Sequence, residues 1–200
     1  YLMKLSNKFT FVRVIFAPVF FALYFIPVWT ERFALITTAL MIPLLLFAEF
    51  TDYLDGKTAR ARGDVSDFGK LFDPFADVVL HLTILLCLTL TGNMPAVIFT
   101  LLFYREFSMN FLRMVAAKSG TAIAARKGGK LKTVLYIFSG FFALFLVLSE
   151  RLGMNFSDSC AEIMKIVSLV LFILCAVASY ASFADYLIHF LPELKKKIDF

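Results

Sequence analysis

The chain has 200 residues, 60% of them hydrophobic and 25 of them Phe, with a mean hydropathy of +0.83. Soluble domains hold roughly 45–50% apolar residues, so a water-soluble globular protein is excluded and a single membrane domain over residues 1–200 is expected. The net charge of +5 gathers in a few loops, which suits anionic lipid headgroups or phosphorylated substrates. Nucleic acid is not an expected partner, because no soluble basic face is left to hold it. Cys87, Cys160 and Cys175 stand singly in or beside apolar runs, without metal-ligand or disulfide spacing, and read as small core residues. The chain opens on Tyr1 rather than Met, which fits a product that begins further upstream. A cleavable signal peptide is not expected, since the first apolar run lacks a small-residue cleavage site.

Residues 4–13 mix Leu5, Phe9 and Val12 with Ser6, Asn7, Lys8 and Arg13, the pattern of a short interfacial helix. Asn7, Thr10 and Arg13 recur every third residue and so lie near one another. A span of ~20 apolar residues crosses the hydrocarbon core, and six candidates follow at 14–29, 33–50, 74–91, 95–115, 133–148 and 163–191. The last is long enough to tilt or to leave the membrane before it ends. The expected fold is therefore all-α and integral to the membrane, with six transmembrane helices preceded by a short interfacial amphipathic helix. One set of alternate loops collects Lys4, Lys8, Arg13, Lys57, Arg60, Arg62, Lys70, Lys118, Arg126, Lys127, Lys130, Lys132 and the lysines at 195–197. The other has Arg32 and Arg151, each beside a Glu. The positive-inside rule then places both termini in the cytoplasm.

The second span runs straight into residues 51–77, which hold six aspartates. Asp64 and Asp67 sit at the tip, and Asp52, Asp55, Asp73 and Asp77 form an outer array. Asp52 and Asp55 are i, i+3 and Asp73 and Asp77 are i, i+4, so each pair shares a face if its segment is helical. Carboxylates at a membrane helix end are costly unless compensated, which marks a functional site. Oxygen-only donors suit Mg²⁺, Mn²⁺ or Ca²⁺ rather than zinc. The plainer alternative is a solvated acidic loop with helix caps, and it gives no reason for Gly56, Ala59, Arg60 and Gly69 at fixed offsets.

Asp52, Asp55, Gly56, Ala59, Arg60, Gly69, Asp73 and Asp77 fill the pattern D-x-x-D-G-x-x-A-R, eight residues, then G-x-x-x-D-x-x-x-D. This resembles the signature of the CDP-alcohol phosphotransferase family. The resemblance implies a membrane enzyme whose donor is a CDP-linked lipid, most plausibly CDP-diacylglycerol, and whose aspartates hold two Mg²⁺ or Mn²⁺ ions. It implies metal contacts from Asp52, Asp55, Asp73 and Asp77, with Asp77 also the base for the acceptor hydroxyl. Asp52, Gly56, Ala59, Arg60 and Gly69 are then expected to line the CDP-lipid site, where glycine lets a nucleotide approach the backbone closely. The Asn7-x-x-Thr10-x-x-Arg13 pattern matches relatives in which it faces the active cavity. A homodimer is also implied.

The fourth apolar run carries Arg105, Glu106, Asn110 and Arg113, unusual charge for a membrane span. Neighbours in a helix do not face each other, so Glu106 could neutralise Arg105 only through bending, and since a buried Arg without a partner is costly it should line a polar cavity. Arg forks match phosphate oxygens and Lys adds a point charge, so an anionic, phosphorylated acceptor is expected. Thr10, Arg13, Arg105, Arg113, Lys130 and Lys132 are its candidate phosphate contacts. Arg105-Glu106 with Gly129, Lys130, Lys132 and Thr133 is similar to bacterial phosphatidylglycerophosphate synthases, which implies glycerol 3-phosphate as acceptor and a bacterial inner membrane with the site facing the cytoplasm. Val78 departs from the Lys that commonly follows the last aspartate in that subgroup. Inositol phosphate, serine, or a diacylglycerol receiving phosphocholine are alternative acceptors for the same chemistry. An ion path through the acids, as in a transporter or channel, is the alternative from another class.

Overall fold

The computed structural model describes residues 5–62, 67–118, 127–154 and 156–197, and at 5–9, 52–62, 67, 68, 70, 127–131, 191 and 193–197 it describes backbone alone. These residues form six α-helices and no strand: α1 Leu5–Thr30, α2 Ala34–Arg62, α3 Asp67–Leu90, α4 Ala96–Lys118, α5 Lys127–Arg151 and α6 Asp158–Lys197. Residues 5–13 do not make an element of their own. No Gly or Pro separates them from the first span, and α1 runs unbroken past Pro18 and Pro27. Proline inside such helices is tolerated where neighbouring groups satisfy the freed carbonyl. α2 likewise continues from its apolar half through the acidic motif to Arg62.

Helix ends follow from local chemistry. α3 closes with Gly92 at φ +77°, its N–H on the Thr89 carbonyl, while Asn93 N–H reaches the Leu88 carbonyl at 2.8 Å. α5 repeats the arrangement with Gly153 at φ +70° and Met154 N–H on the Ser149 carbonyl at 2.9 Å. Both are Schellman ends, in which glycine takes the left-handed position at no steric cost. α1 ends instead on Glu31 at φ +55°, whose N–H bonds the Pro27 carbonyl at 3.0 Å.

Among the described residues, five stretches are long and apolar enough to cross a membrane: Thr10–Thr30, Ala34–Thr51, Leu71–Leu90, Lys132–Arg151 and Asp158–Phe190. α4 has the length but carries Arg105, Glu106 and Arg113 within its 23 residues. Burial is inverted relative to a soluble protein. Thr10, Arg13, Arg105, Glu106, Ser179 and Ser182 are buried, whereas Phe11, Trp29, Leu46, Phe107, Phe111 and Ile188 are exposed. An apolar exterior around polar groups is the arrangement that lipid demands. The protein is an integral membrane protein.

The structure divides into two compact units, Tyr1–Cys87 with Val147–Asn155, and Leu88–Leu146 with Phe156–Phe200. In the first, α1 packs along α2, with the Phe16 and Phe47 rings 6.0 Å apart and Phe20, Tyr24, Met41, Leu45, Ala48 and Leu85 in the core. In the second, α4 packs on α6. There Ser168, Phe172, Cys175, Ser179, Ser182 and Tyr186 are all buried and recur at steps of four and three, which is one face of a helix. Tyr180 fastens the pair by donating its hydroxyl to the Leu101 carbonyl at 3.0 Å.

Candidate active site

In the first unit, Asp73 and Asp77 lie on α3 one turn apart, and both are half-buried. Thr10 Oγ1 donates to Asp73 Oδ1 and Arg13 Nη1 donates to Asp77 Oδ1. The three-residue step from Thr10 to Arg13 on α1 thus meets the four-residue step from Asp73 to Asp77 on α3, because both steps return to one helix face. Thr10 and Arg13 are almost wholly buried, at 0% and 1% exposure, so their polar ends meet the carboxylates rather than water. Thr10 and Arg13, two of the candidate phosphate contacts, are thus paired with the acidic motif within the first unit. Such contacts orient a carboxylate as outer-shell partners orient a metal ligand.

Asp52, Asp55, Gly56, Ala59 and Arg60 lie on α2, with side chains outside the described residues, and Asp64 lies outside them altogether. Gly69 is buried on α3. Among the described residues no three His, Cys, Asp or Glu side chains gather, the described members of the motif being Asp73 and Asp77. Their hard oxygen donors, half-exposed on one face of α3, fit Mg²⁺ or Mn²⁺.

Behind the motif, His81 Nε2 lies 3.3 Å from Glu49 Oε1. Sequence reasoning passes over this pair. The available signal is register: Glu49 precedes Asp52 by three and His81 follows Asp77 by four, so each shares a helix face with a motif aspartate. At the other end of α1, Arg151 Nη2 donates to the Tyr24 carbonyl at 2.9 Å and its guanidinium stacks 4.3 Å from the centre of the Tyr24 ring.

In the second unit, Arg105 and Glu106 are each 4% exposed. Arg105 Nη1 donates to Glu106 Oε1 at 2.9 Å, and Lys132 Nζ donates to the same oxygen at 2.8 Å. Arg105 Nε donates to the Ser179 carbonyl at 3.1 Å, which ties α4 to α6. The pairing expected only through bending is made: the Cβ directions of the two neighbours diverge, but both side chains are long enough to curl to a common point. Lys132 Nζ also lies 5.4 Å from the Tyr136 ring centre, a cation–π contact. Arg113 is half-buried on α4, seven residues beyond Glu106 and so on the same face, and acts electrostatically on that carboxylate. Lys130 is on α5, its side chain outside the described residues. Among the described residues, one buried acid therefore stands with three cations, Arg105 buried and Lys132 and Arg113 half-buried.

An acidic motif on α2 and α3, and a partly buried cationic cluster on α4 and α5, stand on helices too apolar for water, the features that a membrane enzyme for phosphorylated substrates would need. The chain belongs to the CDP-alcohol phosphatidyltransferase family, whose model matches residues 3–179, and this membership sets aside the ion-path reading. Among its relatives, the CDP-diacylglycerol–glycerol-3-phosphate 3-phosphatidyltransferase of Treponema pallidum is 38% identical over 97% of this chain and 92% of its own length. The enzyme of the same name from Bacillus subtilis is 35% identical over 65% of this chain and 70% of its own. That from Rickettsia typhi is 29% identical over 86% and 92%.

Proposed function

We propose that this enzyme transfers the phosphatidyl group of CDP-diacylglycerol to glycerol 3-phosphate, giving phosphatidylglycerophosphate and CMP. The observation that carries the acceptor assignment is the cluster of buried Arg105 with half-buried Lys132 and Arg113 around the buried carboxylate of Glu106, whose excess positive charge matches a phosphomonoester. The relatives named for glycerol 3-phosphate support the same acceptor.

What two Mg²⁺ or Mn²⁺ ions held by Asp52, Asp55, Asp73 and Asp77 would supply is neutralisation of the diphosphate and of the departing CMP. Thr10 and Arg13 hold Asp73 and Asp77 in place for that task. Arg60 offsets diphosphate charge, while Gly56, Ala59 and Gly69 leave room for the nucleotide against the helix backbone. Asp77 takes the proton of the acceptor hydroxyl as that oxygen bonds to the lipid-side phosphorus. The bond from this phosphorus to the bridging oxygen breaks, and CMP leaves with that oxygen and its electron pair. Arg105, Arg113, Lys130 and Lys132 hold the acceptor phosphate.

The acidic motif works from the cytoplasmic face of a bacterial inner membrane, a placement supported by the loop lysines and arginines. The homodimer implied by the resemblance is tested by cross-linking in native membranes. The deciding experiment is CMP release from CDP-diacylglycerol with a panel of acceptors. Glycerol 3-phosphate is expected to give the highest kcat/KM, and preference for inositol phosphate, serine or diacylglycerol would reassign the acceptor.

A further inference from the structure

Glu106 takes no part in the transfer described above, yet it is the carboxylate on which Arg105 and Lys132 converge. Its Oε1 accepts from both Arg105 Nη1 at 2.9 Å and Lys132 Nζ at 2.8 Å. The Arg105 guanidinium is pinned at its other edge by the Ser179 carbonyl, 3.1 Å from Nε. Two like charges on different helices repel when brought close, and a shared acceptor between them offsets that repulsion. Their donors are thereby held side by side, which is what two oxygens of one phosphate require.

Charge points the same way. Arg105, Arg113 and Lys132 carry three formal positive charges against the one negative charge of Glu106. The excess of two matches a phosphomonoester, which carries about −1.5 to −2 near pH 7. We infer that Glu106 is a positioning residue for the acceptor: it holds Arg105 and Lys132 together as a paired phosphate donor and trims the cluster to the charge of a dianion. This rests on the phosphorylated-acceptor reading.

The test is steady-state CMP release by the full chain in mixed lipid–detergent micelles, varying glycerol 3-phosphate and CDP-diacylglycerol separately. Glu106→Gln keeps the shape but leaves three cations around an amide that itself donates. Its KM for glycerol 3-phosphate is expected to rise ~10-fold or more, the loss typical of an outer-shell partner, with kcat and the KM for CDP-diacylglycerol moving less than about twofold. Glu106→Asp restores the charge on a shorter arm and is expected to recover part of that loss. An unchanged or lowered acceptor KM in Glu106→Gln overturns the inference, the lowered value because it makes the carboxylate a competitor of the phosphate. Arg105→Ala separates the two readings: if it raises the acceptor KM while Glu106→Gln does not, only the role of Glu106 fails, and if neither moves it the pocket itself fails. Should Glu106→Gln not fold, the readout is the rise in melting temperature on adding glycerol 3-phosphate. A smaller rise for Glu106→Asp than for the unaltered chain supports the inference, and equal rises overturn it.

Discussion

Arg13 donates to Asp77 from a side chain that is 2% exposed to one that is 38% exposed. The pair is therefore asymmetric. Loss of the carboxylate removes a counter-charge from a buried guanidinium, whereas loss of the guanidinium leaves a carboxylate that water still reaches. Breaking a fully buried pair from one side costs about 3–5 kcal/mol; with the aspartate partly solvated, Asp77→Ala is expected to cost about 1–2 kcal/mol. Arg13→Ala is expected to lower the melting temperature less, and to lower kcat less than loss of the base itself does, because it only frees Asp77 to turn away. Thermal melting in detergent beside CMP release checks both orders.

Asp77→Asn separates proton removal from folding. The amide still accepts from Arg13, so the α1–α3 contact persists, but it does not take a proton near neutral pH. General-base removal costs about 10²–10⁴-fold, and turnover is expected to fall in that range while CDP-diacylglycerol binding stays within a few-fold. Turnover near that of the unaltered chain would remove Asp77 from the base role.

The oxygen donor set predicts that a chelator abolishes CMP release and that Mg²⁺ or Mn²⁺ restores it. Asp73→Asn is expected to raise the metal concentration needed for half-maximal activity several-fold. Thr10→Val, which removes the hydroxyl donated to Asp73, should raise it by less. Full activity after exhaustive chelation counts against the metal assignment.

The helices were legible because spans, glycine ends and charged loops are local properties. Gly92 and Gly153 end α3 and α5 close to where apolar runs three and five run out. The separate interfacial helix was a misreading with a simple cause: amphipathic pattern marks which face meets water, not where a helix starts, and nothing in residues 5–17 breaks α1. The acidic motif was legible by spacing alone. What spacing could not supply was pairing between segments far apart in sequence. Thr10 with Asp73, Arg13 with Asp77, and Glu49 with His81 each need tertiary packing to be known first. Glu106 reaches Arg105 because the i, i+1 rule describes Cβ directions and not the reach of Arg and Glu side chains.

Arg151 is the clearest case in which a residue read as loop charge is a structural one. It stands beside the exposed Glu150 but turns to α1. It bonds the Tyr24 carbonyl and stacks on the ring of Tyr24, which is itself 0% exposed. A charged hydrogen bond contributes about 1.5–3 kcal/mol and a partly desolvated cation–π contact about 0.5–2 kcal/mol. Because Arg151 is only half-buried, the combined loss in Arg151→Met is expected near 1–3 kcal/mol. Arg151→Lys keeps the charge but lacks the planar fork that bonds and stacks at once, so it should recover less than half of that. Both variants are expected to melt lower while leaving the KM for glycerol 3-phosphate and for CDP-diacylglycerol unchanged. An altered KM with an unchanged melting temperature would instead put Arg151 in substrate binding.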